Sequence, residues 1–184
     1  MHQFDPLELR VALRNWPTGV SVITTTHEDQ PVGVVVGSFS SVSLAPPLVG
    51  FFVGQTSTTW PSIEQSGTFC VNVLSSSQTG LVQMFGKPAA SRFDEIRYSA
   101  SSLGDPVIVG CVASIGCRIE DVTDAGDHFF VTGRVVDVAT DPLQQPLLFV
   151  HGGFSKPRAL GQANPELPCA SVSELADLSQ LILN

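Results

Sequence analysis

With 184 residues the chain is long enough to bury one sizeable core, and its length gives no reason to divide it into several globular domains. Nine basic side chains against 17 acidic ones leave a formal charge of −8, the wrong sign for a surface that neutralises phosphate backbones, so nucleic acid is excluded as a partner. No apolar run approaches a membrane span and the start, MHQFDPLELR, lacks a signal-peptide core, so a cytoplasmic protein with no membrane contact is expected.

Asp5 as cap, Pro6 at the first helical position and Leu7, Val11 and Leu13 among polar residues predict a helix ending before Pro17 and Gly19. The pattern then turns to strands. Val20 to Thr26 is β-branched and bounded by the turn-like HEDQ, Pro31 to Val42 follows, and Pro47 to Val53 is a third strand, an antiparallel beginning. Inside the second run the apolar pattern breaks. Gly37, Ser38, Ser40 and Ser41 leave main-chain N–H groups uncovered and add hydroxyls, while Phe39 and Val42 are expected to anchor the segment in the core. By composition alone this is a bed for a flat ligand or a β-bulge at a barrel corner.

Thr58 to Gln65 reads as a short helix with Pro61 in its first turn, Thr68 to Leu74 as a strand and Ser75 to Phe85 as another helix. Ser57 and Thr58 stand just ahead of the first helix, where exposed N–H groups suit a plain N-cap or a phosphate. Asn72 is a lone amide in an apolar strand, costly to bury unless bonded, which points to a ligand or a turn contact. GLVQMFGKP, Gly80 to Pro88, imitates a phosphate loop. It has one residue too many between its glycines, and Pro88 stands where a hydroxyl is needed, so it reads as a helix end.

Val107 to Val122 and His128 to Thr140 are two long strands joined by TDAGD, and Leu147 to Val150 adds a short last one. Alternation of Cys111, Ala113, Ile115, Cys117 and Ile119 against Gly110, Ser114, Gly116, Arg118 and Glu120 assigns the first set inward. Cys111 and Cys117 would then lie roughly 20 Å apart, beyond disulfide reach, and with Cys70 and Cys169 are expected as core thiols. No CxxC, HExxH, G-x-G or G-x-S-x-G pattern occurs, so metal sites, a doubly wound nucleotide fold and a serine hydrolase lack support. Beyond Lys156, SVSELADLSQLIL reads as a helix with Ser171 and Glu174 as capping box and Leu175, Leu178 and Ile182 as its stripe. This divides the chain into a domain at 1–156 and a tail at 157–184.

Taken in order, PTGVSVITT (17–25), PVGVVVGSFSSVSLAPPLV (31–49), STTWPSI (57–63), GTFCVNVLSSSQ (67–78), RF (92–93), AGDHFFVTGRV (125–135) and PLLFVHGGF (146–154) resemble the flavin reductase-like family. The resemblance implies a mainly β fold, an antiparallel, Greek-key-like FMN-binding split β-barrel with a few peripheral helices. It implies an NAD(P)H-dependent flavin reductase that passes hydride from nicotinamide C4 to flavin N5, with FAD or FMN as flavin and NADH, alternatively NADPH, as donor. It further implies a homodimer that supplies reduced flavin to a separate flavin-dependent monooxygenase. Two other readings fit such a barrel: a non-catalytic flavin- or haem-binding module, and an oxidoreductase whose tightly held flavin serves its own substrate.

The same resemblance lays the flavin ring along Val35, Val36, Gly37, Ser38, Ser40 and Ser41 and its phosphate on Ser57 and Thr58. It sets Val71, Asn72 and Leu74 against the flavin, with Gln78 beside them, and Arg92 of the RF pair at a cofactor phosphate. Phe154 of GGF would pack by the flavin or the nicotinamide. His128 of AGDHF would position the nicotinamide, with Asp127 orienting its ring or closing the hairpin. Gly37 departs from the family, which often carries asparagine or another polar side chain there, so backbone donation would have to replace that contact.

Overall fold

The computed structural model describes residues 5–158. Helix α1 (Pro6–Leu13) is followed by the two-residue strand β1 (Thr18–Gly19), then β2 (Ser21–His27), β3 (Gln30–Val36), β4 (Ser40–Leu44) and β5 (Pro47–Gly54). Helix α2 (Trp60–Ser66), strand β6 (Thr68–Val73) and helix α3 (Thr79–Met84) lead through a 3₁₀ turn (Ala89–Ser91) to β7 (Tyr98–Ala100) and β8 (Pro106–Ile108). The long hairpin β9 (Ala113–Ala125) and β10 (His128–Thr140) comes next, then β11 (Leu148–Val150) and β12 (Gly153–Ser155). Among these helices none is long and apolar enough to cross a membrane.

Seven strands form one antiparallel sheet in the order β3-β2-β6-β9-β10-β5-β4. Its two rims, β3 and β4, are consecutive in the chain and separated only by Gly37, Ser38 and Phe39. That step folds the sheet on itself as a split barrel. Val36 from one rim and Val49, Phe51 and Val53 from beside the other share one interior with Ile23, Phe69, Val71 and Val131. Helix α2 closes the interior with Trp60 and Ile63. Phe69 meets Phe51 edge-on at 5.3 Å and lies across Gly133, where a Cβ would collide with its ring. Glycine at that bulge is therefore a packing requirement, since burying one such ring is worth about 1.5–3 kcal/mol.

The first helix is capped as its sequence demands, Asp5 Oδ1 accepting from Leu7 N at 2.8 Å, and its Leu7, Val11 and Leu13 remain exposed. The single strand expected over 31–42 is two strands. Ser38 interrupts it, its hydroxyl accepting from Phe52 N at 3.0 Å and donating to Phe52 O at 3.2 Å in place of a ladder. Phe39 packs against the interior as expected, but Val42 sits on the register shift between Ser41 and Ser43 and is exposed.

The strand expected over 107–122 also breaks, because Gly110 takes the left-handed φ of 87° between β8 and β9. Cys111 therefore lies outside β9. Ser114 and Gly116, expected outward, are buried, with Asp137 Oδ1 accepting from Gly116 N at 3.2 Å, while Arg118 and Glu120 do face out. The hairpin loop is only Gly126 and Asp127, with Gly126 at φ 70°. Helix α3 begins four residues late because Gln78 Oε1 accepts from Ser75 N at 2.9 Å and makes a turn first. Gly80 to Pro88 is a helix end as read, and strands β1, β7 and β12 were not anticipated. Cys70, Cys111 and Cys117 are buried free thiols, and burial pushes Cys70 and Cys117 up to about 12. Cys169 and the helix expected at 171–183 lie outside the described residues.

Candidate active site

Strand β3 is a rim, paired with β2 alone, so alternate backbone groups along it have no ladder partner. Which ones they are follows from Arg92, whose Nη1 donates to Gly33 O at 3.0 Å. In an antiparallel ladder the N–H and C=O of one residue point the same way and neighbours alternate, so Gly33 and Val35 turn away from β2. Val35 thus offers its peptide groups along the open rim. At Gly37 a Cβ would stand 3.0 Å from Thr18 Oγ1, so a side chain there would narrow the space in front of the rim.

Three compartments run along this rim. An apolar one of about 270 Å³ is bounded by Thr18, Val35, Val36, Gly37, Phe149 and Phe154. Through Val35 and Val82 it joins a more polar one of about 450 Å³, walled by Ser57, Thr58, Thr59, Gly86 and Arg92. A third of about 320 Å³ shares only Phe154 with it. Phe149 and Phe154 pair across the β11–β12 register with centroids 5.7 Å apart, and each keeps over two-fifths of its surface exposed. An aromatic pair left this open at the mouth of an apolar slot is suited to a flat ring.

Arg92 is fixed by three hydrogen bonds: Nε to Lys87 O at 3.1 Å, and Nη1 to Gly33 O at 3.0 Å and to Thr59 Oγ1 at 2.9 Å. Its Nη2 has no hydrogen bond among the described residues. A pinned guanidinium with a spare edge on a hydroxyl-lined cavity is chemistry for a phosphate. Ser57 Oγ accepts from Thr59 N and Trp60 N, each at 3.3 Å, so this hydroxyl is spent on the N–H groups leading into α2, whose N-cap is Thr59. Thr58 lines the cavity beside it.

Several residues expected at the ligand are elsewhere. Val71, Asn72 and Leu74 are fully buried, β6 is laddered on both edges, and none of the three lines the compartments along the rim. Asn72 Nδ2 donates to Thr24 Oγ1 at 2.9 Å and to Val22 O and Pro106 O at 3.3 Å, and Oδ1 accepts from Ile108 N at 2.7 Å. Its amide is a clip between β2, β6 and β8. Gln78 spends both ends of its amide on Ser75 N and Val109 O. Ser38 is committed to Phe52, and Ser40 and Ser41 lie on β4, paired with Gly50 and Val49, outside the three compartments.

His128 opens β10 at the hairpin tip, half-exposed, with Nδ1 2.6 Å from Asp127 Oδ1. The hydrogen bond from His128 holds the Asp127 carboxyl below its ordinary value. Asp127 O accepts from Gln55 N at 3.0 Å and Gly54 O from Ser57 N at 2.9 Å, tying the tip to the loop that carries Ser57. His128 itself does not line the trough. Thr18, Thr59, Val82 and Phe149 do, and the sequence reading missed them. Phe149 had a signal, an aromatic set symmetrically with Phe154 about the His151–Gly152 turn.

A second polar cluster lies beside β8, around the buried Asp105. Asp105 Oδ1 accepts from Thr25 Oγ1 and Thr68 Oγ1 at 3.1 Å and from Thr26 N at 3.3 Å, while Oδ2 is buried without a partner. Burial pushes this carboxyl up, and the donors from Thr26, Thr68 and Thr25 oppose it.

Residues 13–158 match the model of the flavin reductase like domain. The chain belongs to that family. A flavin reductase of Pseudomonas putida is 43% identical over 151 residues, 82% of this chain and 89% of that protein. The reductase subunit HsaB of a flavin-dependent monooxygenase from Mycobacterium tuberculosis is 43% identical over 155 residues, 83% of each chain. Among solved structures, the NADH:FAD oxidoreductase SgcE6 of Streptomyces globisporus, in complex with NAD and FAD fragments, superposes with a TM-score of 0.79 at 32% identity, covering 89% of this chain and all of that one. As a flavin reductase-like protein the chain is an oxidoreductase on a split barrel.

Proposed function

We propose that this chain is an NAD(P)H:flavin oxidoreductase whose trough takes the flavin phosphate at Arg92, Thr58 and Thr59 and the ring in the slot between Val35, Gly37 and the Phe149–Phe154 pair. The observation that carries the reading is the pinned Arg92 guanidinium, with its spare edge, at one end of an aromatic-walled slot. When bound, flavin and nicotinamide would supply the hydride chemistry between N5 and C4, which belongs to the cofactors. The protein's work is placement. Val35 supplies peptide groups to the polar edge of the ring, Phe149 and Phe154 cover its apolar surface, and Arg92 fixes the tail. For His128, held by Asp127 at the tip of the β9–β10 hairpin outside the trough, the family resemblance alone supports a part in placing the nicotinamide.

A trough open along its length favours flavin that exchanges, and reduced flavin then passes to a separate flavin-dependent monooxygenase. Val42, Leu44, Phe52, Val136 and Val138 are exposed on the neighbouring strands β4, β5 and β10, and this face supports a homodimer. The buried free thiols suit the cytoplasm. Residues 1–156 form the catalytic domain, and 157–184 are appended to it. The test is loss of nicotinamide absorbance when NADH or NADPH is mixed with the protein and free FMN or FAD. Turnover that requires both partners is expected. Oxidation no faster than without the protein overturns the reading.

A further inference from the structure

A further compartment of about 320 Å³ borders the aromatic pair at Phe154 and is lined by Ser76, Thr79, Ser155, Lys156 and Arg158. It shares no lining residue with the Arg92 compartment and only Phe154 with the aromatic slot. Two segments remote in sequence build it. Ser76 N donates to Gln145 O at 2.7 Å and Ser75 bridges Pro146, which holds the Ser76–Thr79 turn beside the closing strands.

Lys156 and Arg158 are two of only nine basic residues in a chain of net charge −8. Among the described residues neither pairs with a carboxylate, whereas Lys87 and Arg134 are spent on Glu95 and Glu120. Two cations beside two hydroxyls on a concave surface form a receptor for an anion. The chemistry of hydride transfer says which anion. Two flat rings must stack in one slot, each ring carries a phosphorylated tail, and tails of like charge leaving the same slot repel unless they leave at opposite ends.

We infer that Ser76, Thr79, Lys156 and Arg158 form a second anion subsite that takes a phosphate of the nicotinamide dinucleotide, while Arg92 takes that of the flavin. This rests on the flavin reductase reading above. The pyrophosphate is common to NADH and NADPH, and the 2′-phosphate belongs to NADPH alone.

The test is the double variant Lys156→Ala/Arg158→Ala, with either single variant as its substitute should the double be unstable. Steady-state kinetics should show the nicotinamide KM raised about tenfold, as loss of charge-assisted hydrogen bonds implies, with kcat and the flavin KM within twofold. The rise of nicotinamide KM with salt should flatten in the variant, and Lys156→Arg should restore most of the loss. Equal losses on NADH and NADPH assign the pyrophosphate, and a loss confined to NADPH assigns the 2′-phosphate. An unchanged nicotinamide KM, or a raised flavin KM in its place, overturns the subsite. Calorimetric titration with NADP⁺ needs no turnover. Weaker binding by the variant upholds the subsite even if wild type proves catalytically silent, which would sink the reductase reading alone; equal binding by both proteins overturns the subsite.

Discussion

Under β8, Asn72 and Asp105 sit among Thr24, Thr25 and Thr68 with all but one of their polar atoms matched inside the protein. Along the β3 rim the same kinds of group are left with something to spare: a guanidinium edge on Arg92, peptide groups on Val35, hydroxyls at Thr58 and Thr79. The first region holds strands together and the second faces solvent. A polar side chain in an apolar strand is thus evidence of a need for hydrogen bonds, and only the tertiary partners decide whether protein or ligand meets it.

The contrast breaks most visibly at Asn72. Asn72→Ala strands Ile108 N in a fully buried place and removes the donor to Thr24 Oγ1, so we expect about 3 kcal/mol of lost stability and roughly 6–12 °C in Tm by thermal unfolding. The flavin KM of the folded variant should stay within twofold. A variant of normal Tm that has lost flavin would move Asn72 into the open region. Arg92→Ala should act the other way, raising the flavin KM tenfold or more in steady-state kinetics, and Arg92→Lys should recover little because the fork geometry is lost.

Asn72 shows where sequence stops informing, because its surroundings leave a ligand and a contact within the protein equally open. Its local surroundings, TFCVNV, are the same whether Ile108 and Pro106 lie over it or a ligand does, and those two residues are more than thirty positions away. Local signals did carry the elements that depend on them: the Asp5–Pro6 helix start, the β-branched strand β2, the hairpin partner β10 and the break at Gly37–Phe39. Arg92 and Phe154 were legible as residues, while Phe149 and Val82 needed the β11–β12 register and the fold of α3 beneath the rim.

Smaller effects sharpen the comparison. Phe154→Ala removes one wall of the slot without touching the interior, so KM for flavin or nicotinamide should rise about fivefold, roughly 1 kcal/mol, with Tm within about 2 °C of wild type. The smallest effect is on pH dependence. The folded form holds the Asp105 proton more tightly than the unfolded chain, so this residue favours folding below its ordinary value of 3.8, and the contribution is lost as pH rises through the higher folded value. Glu120 and Asp127 are shifted downward and titrate with the opposite sign, so the residue's share is read as a difference. Urea unfolding across the acid range should show a downward slope in wild type minus Asp105→Asn, and a flat difference would mean that the orphaned Oδ2 is not felt.

The three-residue step from Val36 to Ser40 joins opposite lips of the barrel with one short thread of chain. A molecule lying against Val35 and Gly37 therefore splints both lips at once, although it touches only one. In deuterium exchange, amides of β4 that never meet the guest should slow together with those of β3, and cutting the Ser38 rivet to Phe52 should uncouple the two.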